Sequence, residues 1–189
     1  MANVDRPNGF RFVKTLSGAP VSAVVRAIGV ADGEDIFIGD ALNLESGLAD
    51  PADSNDTAFL GVAVGFAKKD SMSQEAVGGN FVADNLTKRF YDDSENTHTD
   101  WVVWYVPFND AIFEVQTGTA LTKLPGETVD LDPTAGSETT GISAHEITTS
   151  SNADFVVVEV PKYPDNDQTA VWGRYWVRCV HAEQSAITK

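Results

Sequence analysis

The chain has 189 residues, of which 42% are hydrophobic and 22% charged, values typical of a globular domain and not of a disordered chain. Its net charge of −15 disfavours nucleic acid as a partner, because affinity for nucleic acid comes largely from Lys and Arg on phosphates. No apolar run approaches the roughly 18 residues of a membrane span, and we expect no signal peptide. The single cysteine, Cys179, excludes an intrachain disulfide and is interpreted as a small buried hydrophobe of a protein made in a reducing cytoplasm.

The first predicted element is an extended arm over residues 1–22. Pro and Gly residues break any helix there: Pro7, Gly9, Gly18 and Pro20. Apolar and basic side chains alternate from Phe10 to Lys14, which predicts a short extended segment over residues 9–16. This segment is either an edge strand on its own body or a clamp that lies across a neighbouring molecule by strand addition.

The charge is distributed unevenly along the chain. Residues 1–26 contain one acidic residue, Asp5, and four basic ones: Arg6, Arg11, Lys14 and Arg26. Their balance of +3 leaves −18 for the remainder. A basic arm on an acidic body favours contact with an acidic surface, although four charges can also simply solvate a strand and a loop.

Short apolar runs between turn residues predict a β-rich body over residues 23–182. Its first half contains candidate strands at residues 21–30, 36–44 and 58–66. Gly39 and Asp40 predict a bulge or sharp bend inside the second of these. Residues 45–57 are polar and predict a loop, whereas residues 68–100 give no regular pattern.

The most apolar stretch, residues 101–117, predicts a hairpin of two strands. Every side chain of residues 101–106 is aromatic or β-branched, so this strand is expected to be covered on both faces. A Pro-Phe-Asn-Asp turn follows at residues 107–110. In the second strand apolar residues alternate with Glu114 and Gln116, which predicts one wetter face.

Further strands are predicted at residues 128–131, 155–160 and 171–181. In the last of these Tyr175, Val177 and Cys179 share one face. The total of roughly seven to nine short strands, with almost no helical periodicity, predicts an all-β fold: an antiparallel barrel or sandwich with an extended N-terminal arm. Residues 183–189 are expected to form a loose C-terminal tail.

No residue pattern predicts catalysis, a cofactor or a metal site, so we do not expect an enzyme. The three histidines, His98, His145 and His181, are too widely spaced in sequence for a zinc motif. His181 follows Cys179 by two residues, which on a strand is a poor geometry for a nucleophile and its base. The acidic clusters do not follow the calcium-loop pattern and are interpreted as solvated loops: residues 50–56, 92–95, 130–132 and 165–167.

One family resemblance rests on a succession of sequence segments. The chain begins Met-Ala-Asn-Val-Asp-Arg-Pro-Asn-Gly-Phe-Arg-Phe-Val-Lys-Thr-Leu-Ser-Gly-Ala-Pro and continues with Ile-Phe-Ile-Gly-Asp-Ala-Leu at residues 36–42. Phe-Leu-Gly-Val-Ala-Val-Gly-Phe at residues 59–66 and the stretch from Trp101 follow. This succession, over about the first 117 residues, resembles the capsid decoration (cement) proteins of tailed bacteriophages, particularly marine ones.

The resemblance implies a structural virion protein without enzymatic activity, made in the host cytoplasm and located on the capsid exterior. It would bind the outer surface of an expanded icosahedral capsid and stabilise it against internal DNA pressure. Its partners would be the major capsid protein and other copies of itself, as a homotrimer or a dimer, and neither nucleic acid nor a membrane. The arm residues expected to contact the capsid or a neighbouring copy are Arg6, Phe10, Arg11, Phe12 and Lys14.

Two other functions stay open from the sequence. The first is a tail-tube or head-completion virion protein, which would assemble rings in isolation. The second is a carbohydrate-binding surface module built on exposed Trp and Tyr. The four tryptophans are Trp101, Trp104, Trp172 and Trp176, and their apolar context favours a core or subunit interface over a sugar platform.

Overall fold

The computed structural model describes residues 3–69, 81–82 and 90–182, and it confirms the predicted all-β class as antiparallel sheets packed in a sandwich. The described strands are β1 (Arg11–Thr15), β2 (Arg26–Gly29), β3 (Ile36–Phe37), β4 (Ala41–Glu45), β5 (Leu48–Pro51), β6 (Gly61–Lys69), β7 (Phe81–Val82), β8 (Phe90–Tyr91), β9 (Trp101–Pro107), β10 (Ala111–Gln116), β11 (Thr128–Asp132), β12 (Glu146–Thr149), β13 (Phe155–Glu159) and β14 (Arg174–Cys179). One α-helical turn, α1 (Val21–Val24), and two short 3-10 helices, His98–Asp100 and Phe108–Asp110, complete the described elements. The predicted loose tail at residues 183–189 lies outside the described residues.

Two larger sheets and one small one make up the fold. Sheet A has the strand order β1-β10-β14-β13-β11-β12, which places β1 at an edge. Sheet B has the order β2-β9-β6-β4-β5, and β7 also pairs with β6. The small sheet consists of β3 and β8.

Aromatic rings fill the main core, to which both larger sheets contribute side chains. Phe108 lies at the centre of this cluster, with ring centroids 5.0 Å from Phe113 and 5.4 Å from Phe155. A second core cluster includes Ile36, Leu42, Tyr91, Trp101 and Tyr105. Strand β9 contributes Val106 to the first cluster and Trp101, Val103 and Tyr105 to the second. The prediction that this strand is covered on both faces is therefore confirmed.

The predicted hairpin at residues 101–117 is wrong, although both of its strands exist. Strand β9 pairs with β2 and β6 in sheet B, whereas β10 pairs with β1 and β14 in sheet A. The 3-10 turn Phe108–Asp110 carries the chain from one sheet to the other, and Phe108 itself is buried. Turn residues fix a change of direction, but the strand partners are chosen by the apolar faces that must be buried.

Two further local predictions are wrong. The first part of the predicted strand 21–30 forms the single turn α1, in which the Val25 N–H donates to the Val21 carbonyl at 3.1 Å, and only β2 is extended. The predicted loop at residues 45–57 contains strand β5, which pairs with β4 across a tight turn at Ser46 and Gly47. Both turn residues have positive φ, 52° and 85° respectively. This left-handed pair lets the polar segment return along β4 and form backbone hydrogen bonds there.

Candidate interaction surface

Strand β1 lies on the body of its own chain. Its antiparallel ladder pairs Arg11 with Glu114 and Phe12 with Phe113 of β10, with a register shift at Val13. Of the two alternatives that the sequence left open for residues 9–16, the structure contains the edge strand. Because side chains alternate along a strand, Phe12 faces the core while Arg11 lies on the outer face of sheet A.

The segment before β1 is fastened to the body by side-chain hydrogen bonds. The Asn3 amide donates to the carbonyl oxygens of Asp167, at 2.7 Å, and Val171, at 2.8 Å. The Arg6 backbone N–H donates to the Gln116 side-chain oxygen at 3.0 Å, and the Arg6 side chain stays exposed. The start of the chain is therefore anchored beside the end of β10 at Arg6, and the segment then enters the main core at Phe10.

The five arm residues predicted to contact a partner have different positions. Phe10 is only 2% exposed and its ring packs 5.0 Å from Phe155, so it is a core residue and cannot form part of a contact surface. Phe12 is half-buried against Phe113 at 6.2 Å. Arg6, Arg11 and Lys14 are exposed, and these three keep the predicted position on the surface.

Glu114 of β10 is the buried carboxylate at the centre of this surface. The register aligns it between Arg11 of β1 and Trp176 of β14. Its Oε2 accepts hydrogen bonds from the Tyr163 hydroxyl at 2.9 Å and the Trp176 indole N–H at 3.1 Å, and its Oε1 lies 3.8 Å from Arg11 Nη1. The predicted wetter face of β10 is therefore wrong, because Glu114 is only 8% exposed.

Two cations stack on aromatic rings of the same surface. Lys14 Nζ lies 5.4 Å from the Trp176 ring centroid, and the Arg174 guanidinium carbon lies 4.7 Å from that of Tyr163. Arg174 is also held by Asp165 at 2.6 Å. Burial, followed by the hydrogen bond to Glu114, raises the pKa of Tyr163, so its hydroxyl remains a donor at neutral pH.

Two grooves run across this region, with volumes of about 150 and 450 Å³, and both are lined by Arg11, Glu114, Asp165 and Arg174. The smaller one also exposes Val4 and part of Trp172. We call the whole area the arm surface and define it by its exposed or half-buried residues: Arg6, Arg11, Lys14, Tyr163, Trp172, Arg174 and Trp176. Sequence reasoning missed Tyr163 and Arg174, because only the pairing of β10 with β14 and the path of the segment between β13 and β14 bring them to the arm.

Trp172 has a backbone conformation that is uncommon for a large side chain. Its φ is 62°, in the left-handed region that favours glycine. Two backbone hydrogen bonds hold this conformation. The Trp172 N–H donates to the Thr117 carbonyl at 3.0 Å, and the Thr117 N–H donates to the Gly173 carbonyl at 2.9 Å. Such strain clusters at functional sites, which makes Trp172 a residue to test within the arm surface.

The residues that could carry chemistry are engaged elsewhere. Cys179 is buried, as the sequence predicts, and burial raises the pKa of its thiol to about 12, so the thiol stays protonated at neutral pH. Asp130 of β11 accepts hydrogen bonds from Ser151, Asn152 and Ala153 of the turn that joins β12 and β13. Among the described residues no three His, Cys, Asp or Glu side chains converge as a metal site would require, and no helix is long and apolar enough to cross a membrane.

The fold and the arm surface define this chain as an all-β sandwich that presents arginine, lysine and aromatic side chains around one edge strand. Comparisons with protein-family models, with curated proteins and with solved structures found no match.

Proposed function

We propose that this chain is a capsid decoration protein that binds the outer surface of an expanded icosahedral phage capsid through the arm surface and stabilises it. The observation that carries the proposal is the arm surface itself, in which exposed cations and half-buried aromatic rings surround an edge strand. The sequence resemblance to decoration proteins is the second support, and it covers the arm and the strands up to β10. Its place would be the exterior of the virion, with the major capsid protein as partner.

The composition of the arm surface suits a protein partner. Tyr, Trp and Arg are enriched in protein interfaces and dominate their hot spots, because they bury large area and form directed hydrogen bonds. Here Trp176 and Tyr163 are held by Glu114, and Arg174 by Asp165. Side chains fixed in this way lose little conformational freedom on binding.

The edge position of β1 offers a second mode of contact. Strand β1 ends sheet A and has a ladder only with β10 among the described strands. An edge strand of this kind can accept a partner strand by backbone hydrogen bonding. Exposed ion pairs contribute only about 0–1 kcal/mol each, so burial and strand pairing would supply most of the affinity and the charges would orient the contact.

The proposal is tested by co-sedimentation with expanded capsids that lack the protein, across a salt series. We expect saturable binding at a fixed ratio to the major capsid protein and a weak dependence on salt. The charge-reversal variant Arg6→Glu, Arg11→Glu, Lys14→Glu should bind far less. Lys68→Glu, an exposed cation on β6 of sheet B, is the matched control and should bind like the wild type.

Two outcomes would refute this assignment. Absence of binding by the wild type would reject capsid decoration, and rings formed by the isolated protein would then favour the tail-tube alternative. Equal loss of binding in the Lys68→Glu control would show that overall charge, and not the arm surface, determines attachment. Sedimentation velocity of the free protein tests the proposed homotrimer against a dimer.

The half-buried rings of Trp172 and Trp176 and the exposed ring of Tyr163 also favour one second candidate, a carbohydrate-binding surface module. Aromatic faces beside polar groups can stack on sugar rings. Quenching of tryptophan fluorescence by glycans, lost in Trp172→Gly, would support this function. Glycine adopts the left-handed backbone of residue 172 without strain, so this variant should stay folded.

A further inference from the structure

The side chain of Gln116, at the end of β10, joins the N-terminal segment (residues 3–8) to two strands of sheet A. Gln116 is only 6% exposed. Its side-chain oxygen accepts a hydrogen bond from the Arg6 backbone N–H at 3.0 Å. Its Nε2 donates to Asp5 Oδ1 at 3.0 Å and to Glu146 Oε1, at the start of β12, at 2.9 Å. One amide therefore ties the segment to β10 and to β12.

The same contacts crowd three carboxylates together. Asp5 Oδ1 and Glu146 Oε1 lie within about 6 Å of each other, because both are bonded to one nitrogen atom. Asp132 is the residue opposite Glu146 in the ladder of β11 and β12, and like charges in such a pair are destabilising. Both side chains approach Gly118, where a Cβ would overlap Glu146 Oε2 and lie 3.6 Å from Asp132 Oδ2.

No cation of the described residues is paired with these carboxylates. None of the ion pairs in that part of the chain includes Asp5, Asp132 or Glu146. Arg6 contributes its backbone N–H, while its side chain is exposed. Burial lowers the pKa of the adjacent His145, against the effect of neighbouring carboxylates, so this ring is neutral. The repulsion between the carboxylates is therefore left without an opposite charge.

The protonation of Glu146 depends on whether the segment is docked. Burial raises the pKa of Glu146, the hydrogen bond from Gln116 opposes this effect, and the charges of Asp5 and Asp132 raise it further. Because the Asp5 charge acts only while the segment is docked, docking raises this pKa. Docking is therefore stabilised at low pH, and the stabilisation is lost as pH rises through the raised pKa. The protonated carboxyl group still has an acceptor oxygen for Gln116.

We propose that Glu146, Gln116 and Asp5 form a proton-dependent latch that holds the N-terminal segment on sheet A more firmly in mild acid than above neutral pH. The latch does not depend on capsid binding. It regulates the arm surface, because the segment supplies Val4 and Arg6 to the smaller groove and withdraws them when it is released.

Hydrogen exchange of the Arg6 backbone amide tests the latch on the full chain. This N–H is bonded to Gln116, so its protection factor, corrected for the intrinsic exchange rate, measures opening of the segment. We expect the protection factor to fall about two- to fivefold between about pH 5 and about pH 8, as suits partly exposed charges. The NMR measurement is made at low salt, because Asp5 is exposed and salt screens its charge.

Two neutral variants and a matched control identify the groups responsible. Glu146→Gln keeps an acceptor for Gln116 but has no charge, so its Arg6 amide should be as protected at about pH 8 as at about pH 5. Asp5→Asn should reduce the pH dependence, because it removes the charge that the segment itself brings. Glu159→Gln, an exposed carboxylate on β13, should behave like the wild type.

Three outcomes would overturn the proposal. The first is a protection factor at Arg6 that does not change with pH in the wild type. The second is a wild-type pH dependence in either Glu146→Gln or Asp5→Asn. The third is an equal change at the Val177 amide in the middle of β14, which would assign the effect to global unfolding and not to release of the segment.

Discussion

Replacement of Phe10 by alanine tests whether the N-terminal segment is part of the body. Phe10 is 2% exposed, and its ring centroid lies 5.0 Å from that of Phe155, 5.8 Å from Phe108 and 6.5 Å from Phe113. Truncation of such a phenylalanine costs about 3–5 kcal/mol, from lost burial and from the cavity left behind. If the N-terminal segment were instead a freely extended arm, the same substitution would leave the free energy of unfolding almost unchanged.

The expected change in melting temperature follows from the size of the chain. With an unfolding entropy of about 2.1 cal/mol/K per residue, 189 residues give about 0.4 kcal/mol/K. A loss of about 3–5 kcal/mol should therefore lower Tm by about 8–12 °C. Urea denaturation followed by tryptophan fluorescence gives the free energy of unfolding directly.

Phe12→Ala is the matched control, because Phe12 is half-buried at the same edge. The decrease in the free energy of unfolding caused by Phe12→Ala should be less than half of that caused by Phe10→Ala. Both shifts should be independent of protein concentration, since β1 pairs with β10 of the same chain. A Phe10→Ala variant within about 1 kcal/mol of the wild type would refute the burial argument. The same reasoning predicts that removal of residues 1–16 damages the body, so binding to capsids is better tested with point variants.

Three further predictions concern single residues. Burial raises the pKa of Asp130, but hydrogen bonds from Ser151, Asn152 and Ala153 together outweigh it and lower the pKa to about 2. The ionised carboxylate therefore contributes about 2–3 kcal/mol to the free energy of unfolding above pH ~4, and this contribution is lost as pH falls towards 2. Asp130→Asn should remove that acid dependence in urea denaturation. Burial and neighbouring carboxylates raise the pKa of Asp50 to about 6, so its ionised form destabilises the fold. In the same assay Asp50→Asn should increase the free energy of unfolding by about 1–2 kcal/mol at pH 7, after allowance for its partial exposure, and should have no effect below pH ~4. Gly9 has a φ of 59°, and a Cβ at this position would overlap the Gly39 carbonyl oxygen. Gly9→Ala should therefore lower the free energy of unfolding by about 3 kcal/mol or more, measured by thermal unfolding, and an unchanged stability would contradict this close approach.

Local sequence patterns were sufficient for much of the fold. The β-branched and aromatic run of β9 predicted a strand covered on both faces, and the alternation in β14 placed Tyr175, Val177 and Cys179 in the core. The bend at Gly39 was predicted as well and separates β3 from β4. In each of these segments the conformation depends on side chains that are close together in sequence, so the local pattern is sufficient to predict it.

The sites depended on information that no local pattern contains. Glu34, Asp50, Asp93 and Glu138 line one cleft although they lie far apart in sequence, because the packing of the sheets brings their segments together. Glu114 was expected in water, but Tyr163 and Trp176 donate to it and bury it.

The sequence by itself determined that this chain is all-β, that its basic residues cluster at the N-terminal end, and where most strands lie, because propensity and alternation are local properties. Only the tertiary structure decided that β9 and β10 belong to different sheets and that Phe10 is a core residue. Strand pairing and burial depend on which distant apolar faces must be covered together, and that choice is made by the whole chain at once.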